Sequence, residues 1–230
     1  MTSPIDISAP CQLICEGAAD EAFFTKLLNV RSITGFQVRC ARSNKEPKKC
    51  AGKSGIADTM SAILSANDLR PDTIKGILVA VDSDDDPETE FADAIEQVRL
   101  SRPMLHTPDR IMEIKELLGG ISIAIMTIPW LDQPGNLDTL LFQSIDITHA
   151  DIMQPLSEYC KGTENRTRDW SIGKRSKMKL RCAIAASHKP DPSLALPYLI
   201  AGRHCPFDFS DERFNNIAAY IGKFRQTVNP

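Results

Sequence analysis

Residues 74–81, with the sequence IKGILVAV, constrain the fold of this chain more than any other segment. Nearly every residue in the run is apolar and several are β-branched, which is typical of a parallel strand buried on both faces. Parallel strands need long crossover connections, which are usually helices. The chain has 230 residues, of which 42% are hydrophobic and 25% charged, so it can form a sizeable core. We therefore expect an α/β fold with a mostly parallel sheet.

Strand and helix patterns alternate through the first half of the chain. Apolar runs predict strands at residues 12–15, 36–40, 74–81 and 121–128. Apolar residues at helical spacing predict helices at residues 20–28, 55–66 and 88–100. This alternation favours right-handed crossovers between parallel strands.

The character of the sequence changes after Pro129. Helices are predicted at residues 137–144, 151–159, 174–187 and 211–224, with no strand pattern among them. We therefore divide the chain into an α/β domain at residues 1–145 and a helical C-terminal region at residues 146–230 that packs on the core.

Acidic residues follow two of the predicted strands. Glu16 comes directly after the first strand, and Asp82 and Asp84 come after the third, with Asp86 behind them. The carboxyl ends of parallel strands meet at one edge of a sheet. Convergent carboxylates repel unless a cation or a proton lies between them, and hard oxygen ligands favour Mg²⁺ or Mn²⁺. Asp82 and Asp84 would then hold the metal for phosphodiester chemistry, while Glu16 binds metal or moves a proton.

A simpler explanation is that these acidic residues begin the next helix, where they stabilise the helix dipole. That explanation suits Asp86 and Glu88 better than Asp82, which directly ends an apolar strand.

The segments ICEGAADEAFF and, about sixty residues later, ILVAVDSDD resemble the toprim domain. That domain pairs a Glu on its first strand with a D-x-D motif after a later strand. The E-G-x-x-D opening is most similar to small toprim proteins related to the OLD nucleases. The resemblance covers roughly residues 11–145, and it implies a Rossmann-like three-layer fold with Glu16, Asp82 and Asp84 as catalytic residues.

The related toprim proteins commonly carry a G-x-L-E segment after the next strand, and this chain has GNLD at residues 135–138. Asp138 therefore stands where Glu is expected, and its shorter side chain can reach a metal through water. The resemblance and the D-x-D pattern together give a candidate set of metal ligands: Glu16, Asp82, Asp84, Asp86 and Asp138.

Two other motifs fit residues 82–93 less well. An EF-hand loop needs Gly at its sixth position and Glu at its twelfth, where this chain has Pro87 and Asp93. The D-x-D pattern also resembles haloacid dehalogenase-type phosphatases, but those want Thr or Val where this chain has Asp86.

The basic residues lie mainly in two stretches, although the net charge is −3. Residues 161–181 contain eight Lys or Arg against two acidic residues, and residues 39–53 contain six against one. Lys53 belongs to a GKS sequence that lacks the P-loop glycine, so a helix start with Ser54 as its cap is the plainer interpretation. Lys174, Lys177 and Arg181 share a helix face, and Lys177 and Lys179 resemble lysines of related toprim proteins. Solvated surfaces would explain the same charges, but the candidate nucleic-acid contacts are Lys53, Lys174, Lys177, Lys179 and Arg181.

Seven cysteines are present, an odd number without any C-x-x-C pair, which argues against a disulfide framework or a zinc site. We expect most of them to be buried thiols in a reducing compartment. The opening MTSPIDISAP lacks a signal-peptide core, and the longest apolar run, residues 121–128, is too short to span a bilayer. These observations predict a cytoplasmic protein without membrane contact.

The sequence thus predicts a Mg²⁺- or Mn²⁺-dependent nuclease acting on DNA or RNA. One alternative is a toprim module that binds nucleic acid or nucleotide without catalysis, or that is activated by a partner. Another is a phosphatase of small phosphate esters. The resemblance to OLD-related proteins also suggests a role in phage defence. It does not decide whether the protein forms a homo-oligomer or joins a larger complex.

Overall fold

The computed structural model describes residues 5–103, 106–116, 120–145, 150–187, 191 and 193–228. Its centre is a five-stranded sheet with the strand order β2-β1-β5-β7-β6. The sheet strands are β1 (Cys11–Cys15), β2 (Phe36–Cys40), β5 (Gly76–Asp82), β6 (Lys115–Glu116) and β7 (Ser122–Ile128). All neighbouring pairs are parallel except β6 with β7. The predicted α/β fold with a mostly parallel sheet is confirmed.

Strand register brings the ends of the central strands together. Cys15 at the end of β1 pairs with Ala80 of β5, and Asp82 at the end of β5 pairs with Ile128 of β7. Because these strands run in the same direction, the residues that follow them collect at one edge of the sheet. The next residue after β1, Glu16, therefore lies beside the end of β5.

Helices cover both faces of this sheet. The first four are α1 (Ala18–Val30), α2 (Ile56–Leu69), α3 (Pro87–Ser101) and α4 (Leu137–Ser144). Along β5, Ile77 and Val79 pack with α2 and α3, whereas Leu78 and Ala80 pack with α1 and α4. Every side chain of β5 before Asp82 is buried, which explains why its sequence shows no alternation of apolar and polar residues.

Five α-helices follow Ile145 in the described residues, together with a 3₁₀ helix at Glu212–Phe214. The α-helices are α5 (Ala150–Gly162), α6 (Glu164–Thr167), α7 (Ile172–Ser187), α8 (Leu196–Ala201) and α9 (Asn215–Val228). Leu180 of α7 and Phe224 of α9 belong to the same apolar cluster as Leu13 of β1. One core on this face of the sheet therefore draws on residues from both sides of position 145.

A hairpin between β2 and α2 was not predicted. It consists of β3 (Arg42–Ser43) and β4 (Glu46–Cys50), which pair only with each other. Strand β4 has the sequence EPKKC and is almost wholly exposed. The hairpin therefore lacks the alternation of apolar and polar residues that would predict a strand.

Cys40 and Cys50 form a disulfide across the base of this hairpin, at a Cα–Cα distance of 5.7 Å. The odd cysteine count argued against disulfides, and that expectation is wrong for this pair, because the hairpin that aligns the two residues is not visible in the sequence pattern. Cys11 and Cys15 are buried free thiols, and burial raises the pKa of Cys11 to about 11. The other free cysteines, Cys160, Cys182 and Cys205, are only partly buried, so the expectation that most of the seven are buried thiols is wrong.

Among the helices that the structure describes, none has the length and apolarity needed to cross a membrane.

Candidate functional site

Glu16 and Asp82 meet at the carboxyl edge of the sheet. The backbone N–H of Asp82 donates to Oε1 of Glu16 at 3.0 Å, although the residues are 66 positions apart. Both side chains are partly buried. The predicted meeting of these two strand ends is therefore present in the structure.

The turn before α4 is fixed to the D-x-D segment by two hydrogen bonds. The backbone N–H of Leu137 donates to Oδ1 of Asp82 at 3.1 Å, and the N–H of Gly135 donates to the carbonyl oxygen of Asp84 at 2.6 Å. Asn136 caps α4, since its Oδ1 accepts a bond from the N–H of Thr139 at 3.1 Å. The GNLD segment thus lies against Asp82 and Asp84.

Asp138 lies in the first turn of α4 and is only 7% exposed. Its Oδ1 is buried and has no hydrogen-bond partner among the described residues. Burial raises the pKa of this carboxyl, while the charges of Lys177 and Arg181 lower it. A buried carboxylate oxygen without a donor is costly unless it takes up a proton or a ligand, so Asp138 is suited to bind a ligand.

Asp20 also lies beside Glu16 and Asp82, although sequence reasoning did not assign it to the site. We call Glu16, Asp20, Asp82, Asp84 and Asp138 the acidic cluster. It lies in the first turn of α1, and its Oδ2 accepts a hydrogen bond from the N–H of Gly17 at 2.9 Å. Burial, and then the charge of Glu16, raises the pKa of Asp20 to about 7. The signal was present in the E-G-x-x-D spacing, which places this Asp one helical turn after Glu16.

The electrostatics of the cluster disfavour its fully ionised form. Burial is the largest cause of a raised pKa at Glu16, Asp20, Asp82 and Asp138 alike. At Asp82, the charges of Asp20 and Glu16 raise the pKa further. Such a group of carboxyls either shares protons or binds a cation.

The donor set suits a hard divalent ion, because all of its atoms are carboxylate oxygens. The described carboxylates of Glu16, Asp82 and Asp84 do not have oxygens that all lie within 4.8 Å of one another. In the described chain that limit is met by Glu21, Cys40 and Cys50, but the two sulfurs of that group are joined as a disulfide. An ion at the acidic cluster would therefore keep waters among its ligands, as Mg²⁺ commonly does.

Asp86 serves as the N-cap of α3. Its oxygens accept hydrogen bonds from the N–H of Glu88 at 3.2 Å and from Oγ1 of Thr89 at 2.5 Å, and these bonds lower its pKa. This is the helix-starting role that the sequence left open for it. With its carboxylate engaged in capping, Asp86 is the least suited of the predicted metal ligands.

The start of α7 packs against the D-x-D segment. The N–H of Ile172 donates to Oδ1 of Asp85 at 2.7 Å, and a Cβ atom on Gly173 would lie 3.2 Å from Oδ1 of Asp84. Asp84 itself is exposed and adopts a left-handed backbone with φ of 43°. The contact between α7 and residues 84–85 had no sequence signal, because it joins segments 87 positions apart.

Lys53 lies beside the cluster, in a short 3₁₀ helix at Gly52–Gly55. Its ammonium group pairs with Glu90 and with Asp93, and its charge lowers the pKa of Glu16. Ser54 does not cap α2, because Gly55 occupies the N-cap position.

The predicted cations of α7 lie on different sides of that helix. Lys177 and Arg181 are close enough to Asp138 to influence its ionisation. Lys174 places its Nζ 4.4 Å from the centre of the Trp170 ring, and Lys179 lines a separate groove with residues of α5. The structure therefore brings Lys53, Lys177 and Arg181, but not Lys179, to the acidic cluster.

No curated protein and no solved structure matches the chain. Residues 10–220 match a family model described as "Protein of unknown function (DUF3226)". The match includes every acidic residue of the cluster and all of α7, and since it covers most of the 230 residues, the chain belongs to the DUF3226 family.

Proposed function

We propose that this protein is a toprim-like, Mg²⁺- or Mn²⁺-dependent nuclease that cleaves phosphodiester bonds in DNA or RNA. The observation that carries the proposal is the joining of three segments at one point, where Glu16 accepts from Asp82 and Asp82 accepts from Leu137. In this proposal the helices after residue 145 form a C-terminal region packed on the α/β core, and the protein acts in the cytoplasm.

The residues that would hold the metal are Glu16, Asp82 and Asp84, with the unpartnered oxygen of Asp138 as a further donor. When bound, such an ion polarises a phosphodiester and favours ionisation of an attacking water. The raised pKa values of the partly buried carboxyls support this assignment, because a cation would relieve the repulsion among their charges.

Asp20 is suited to move the proton. A carboxyl with a pKa of about 7 is partly ionised at neutral pH, so it can accept a proton from water and return it later. Its Oδ2 is fixed by the N–H of Gly17, which orients the side chain toward the cluster. Glu16, whose Oε1 accepts the N–H of Asp82, would act mainly as a ligand and as a rigid link between strands.

Nearby cations would hold the substrate. Lys177 and Arg181 lie next to Asp138, and Lys53 lies next to Glu16, so positive charge borders the acidic cluster on two sides. This arrangement suits a polyanion whose reacting phosphate enters the cluster while neighbouring phosphates contact the basic side chains.

A partner-activated or non-catalytic nucleic-acid-binding module is the second candidate. It is favoured by the spacing of the carboxylates, since Glu16, Asp82 and Asp84 are not drawn together as tightly as a preformed site would be. The side chain of Asp138 is one methylene shorter than the Glu of toprim proteins, and this difference also favours the second candidate.

Cleavage of labelled single- and double-stranded DNA and RNA with Mg²⁺ or Mn²⁺ tests the proposal. We compare the native protein with Asp82→Asn, which keeps the side-chain size, and with Glu96→Gln, which removes an exposed carboxylate of α3. Metal-dependent cleavage that is lost in the first variant and kept in the second supports the nuclease. Cleavage that survives in Asp82→Asn contradicts the assigned site, and binding without cleavage by native protein favours the second candidate.

A further inference from the structure

A basic groove of about 510 Å³ lies between α5, α6 and α7, apart from the residues assigned to the proposed nuclease reaction. Four cationic side chains line it: Lys161, Arg168, Arg175 and Lys179. The acidic residue in the lining is Glu164. We call this concavity the α5–α7 groove.

The groove uses a face of α7 that is nearly opposite to the one beside Asp138. Arg175 and Lys179 are four residues apart, so they project from the same side of the helix. Lys177 and Arg181 each lie two residues further along, which at about 100° per residue turns them roughly 160° away. Helix α7 therefore carries two basic faces, one directed to the acidic cluster and one to the groove.

Like charges in a shared concavity repel one another, and the described groove has a single carboxylate to offset four cations. The Arg175 guanidinium is held in position, because its Nη1 donates to the carbonyl oxygen of Arg168 at 3.2 Å. Arg168 has an ion pair with Asp169 at 3.8 Å, but both of those side chains are mostly exposed. A cleft lined by one sign of charge attracts an anion of the opposite sign.

The groove begins close to the acidic cluster. Ile172 at the start of α7 bonds to Asp85, and Gly173 packs against Asp84. At a rise of 1.5 Å per residue, Arg175 lies about 4.5 Å and Lys179 about 10 Å along the helix axis from Ile172. Because the groove and Asp84 lie on nearly opposite faces of α7, a strand that reaches Asp84 would pass around the first turn of this helix to enter the groove.

We propose that the α5–α7 groove binds the phosphate backbone of a nucleic-acid strand that extends from the acidic cluster. This inference rests on the proposed function, since it names where the substrate strand runs beyond the reacting phosphate. The contacts are to phosphates, so binding here is independent of base sequence.

Binding of fluorescent single- and double-stranded oligonucleotides in EDTA, measured by anisotropy over a series of salt concentrations, tests the groove without cleavage. The variant is Arg175→Gln with Lys179→Gln, and a second pair, Lys161→Gln with Arg168→Gln, tests the opposite wall. The control is Arg203→Gln with Lys223→Gln, which removes one exposed Arg and one exposed Lys elsewhere.

We expect each groove pair to weaken binding roughly tenfold and to lower the salt slope by about 1.8 for duplex or 1.4 for single strands, with the control pair unchanged. An unchanged slope in both groove pairs overturns the inference, and so does a native protein that binds no oligonucleotide. Competition with inorganic pyrophosphate distinguishes a nucleic-acid backbone from a small free phosphate as the ligand of the groove. Groove variants that lose pyrophosphate binding but keep oligonucleotide binding would assign the groove to small phosphates and overturn the proposed strand path.

The outcomes for the groove and for the nuclease are distinguishable. A native protein that binds through the groove but never cleaves with Mg²⁺ or Mn²⁺ supports the groove and contradicts the nuclease. A groove variant that cleaves with unchanged KM and salt dependence contradicts the groove and leaves the nuclease standing.

Discussion

The N–H of Leu137 donates to Oδ1 of Asp82 at 3.1 Å, which fixes the first turn of α4 to the end of β5. The N-terminus of a helix favours negative charge, whereas burial raises the pKa of Asp82 and favours the neutral acid. Asp82 therefore has a structural role as the acceptor for α4, and it also carries a charge that burial disfavours.

These two roles separate in Asp82→Asn and Asp82→Ala. In EDTA at pH 8, we expect Asp82→Asn to raise the free energy of unfolding, because it removes a charge that burial disfavours and keeps an acceptor for Leu137. Asp82→Ala removes both and leaves a backbone donor unpaired, so we expect it to be less stable than Asp82→Asn by about 1–3 kcal/mol. Urea unfolding measures both values. Equal stability of the two variants would show that the bond to Leu137 contributes nothing.

The pKa of Asp20, about 7, makes stability in EDTA depend on pH. Its pKa in an unfolded chain is near 4, so between these values the folded protein binds more protons than the unfolded chain. The contribution of Asp20 to stability should therefore be highest below about pH 4, fall as pH rises to about 7, and level off above that. Thermal unfolding across this range, with Asp20→Asn as the control, measures the effect. A melting temperature that varies with pH equally in both proteins would assign the dependence to other groups.

Added metal should reverse this trend. Because Mg²⁺ or Mn²⁺ competes with protons for the same carboxylates, we expect the metal to stabilise the protein much more at pH 8 than at pH 5. At a hundredfold excess over its Kd the stabilisation at pH 8 should be about 2.7 kcal/mol. A metal-induced shift in melting temperature that is the same at both pH values would contradict binding at the acidic cluster.

The sequence predicted the parts of the site that depend on strand pattern. Residues 76–81 contain no charged or polar side chain because β5 is buried on both faces, and the order of strands and helices placed Glu16 and Asp82 at one edge. The predicted strand at residues 36–40 and the predicted helix at residues 137–144 match β2 and α4 residue for residue.

Contacts between distant segments were beyond the sequence pattern. The bond between Asp85 and Ile172 depends on how α7 packs, which no local spacing indicates. Helix α8 has only six residues and begins Leu-Pro, too short to show a helical period. The disulfide of Cys40 and Cys50 depended on a hairpin without apolar alternation, so it could not be inferred from spacing alone.

Gly135 should be required for the turn that joins α4 to the D-x-D segment. Its φ is +133°, and a Cβ atom there would lie 2.7 Å from Oγ1 of Thr139. We expect Gly135→Ala to lower the free energy of unfolding by about 1–3 kcal/mol, through backbone strain and the clash. Gly162→Ala is the matched control, because a Cβ atom at that position of α5 would meet no atom within 4 Å. Equal effects of the two substitutions in urea unfolding would contradict a special role of Gly135.

Asp138 decides whether the GNLD segment takes part in metal binding. Its Oδ1 is buried without a partner in the described structure, its charge raises the pKa of Asp20, and the charges of Lys177 and Arg181 lower its own pKa. If this oxygen binds the ion, directly or through water, Asp138→Asn should weaken Mn²⁺ binding by about tenfold or more, the scale of loss for groups that support a metal site. Asp138→Glu keeps the charge and adds reach, so we expect it to retain affinity, at a packing cost of about 1–3 kcal/mol in stability. Isothermal titration with Mn²⁺ measures the affinity without relying on cleavage, and Glu96→Gln controls for the loss of one carboxylate. Unchanged affinity in Asp138→Asn would reduce Asp138 to a partner of Lys177 and Arg181 and would leave Glu16, Asp82 and Asp84 to hold the ion.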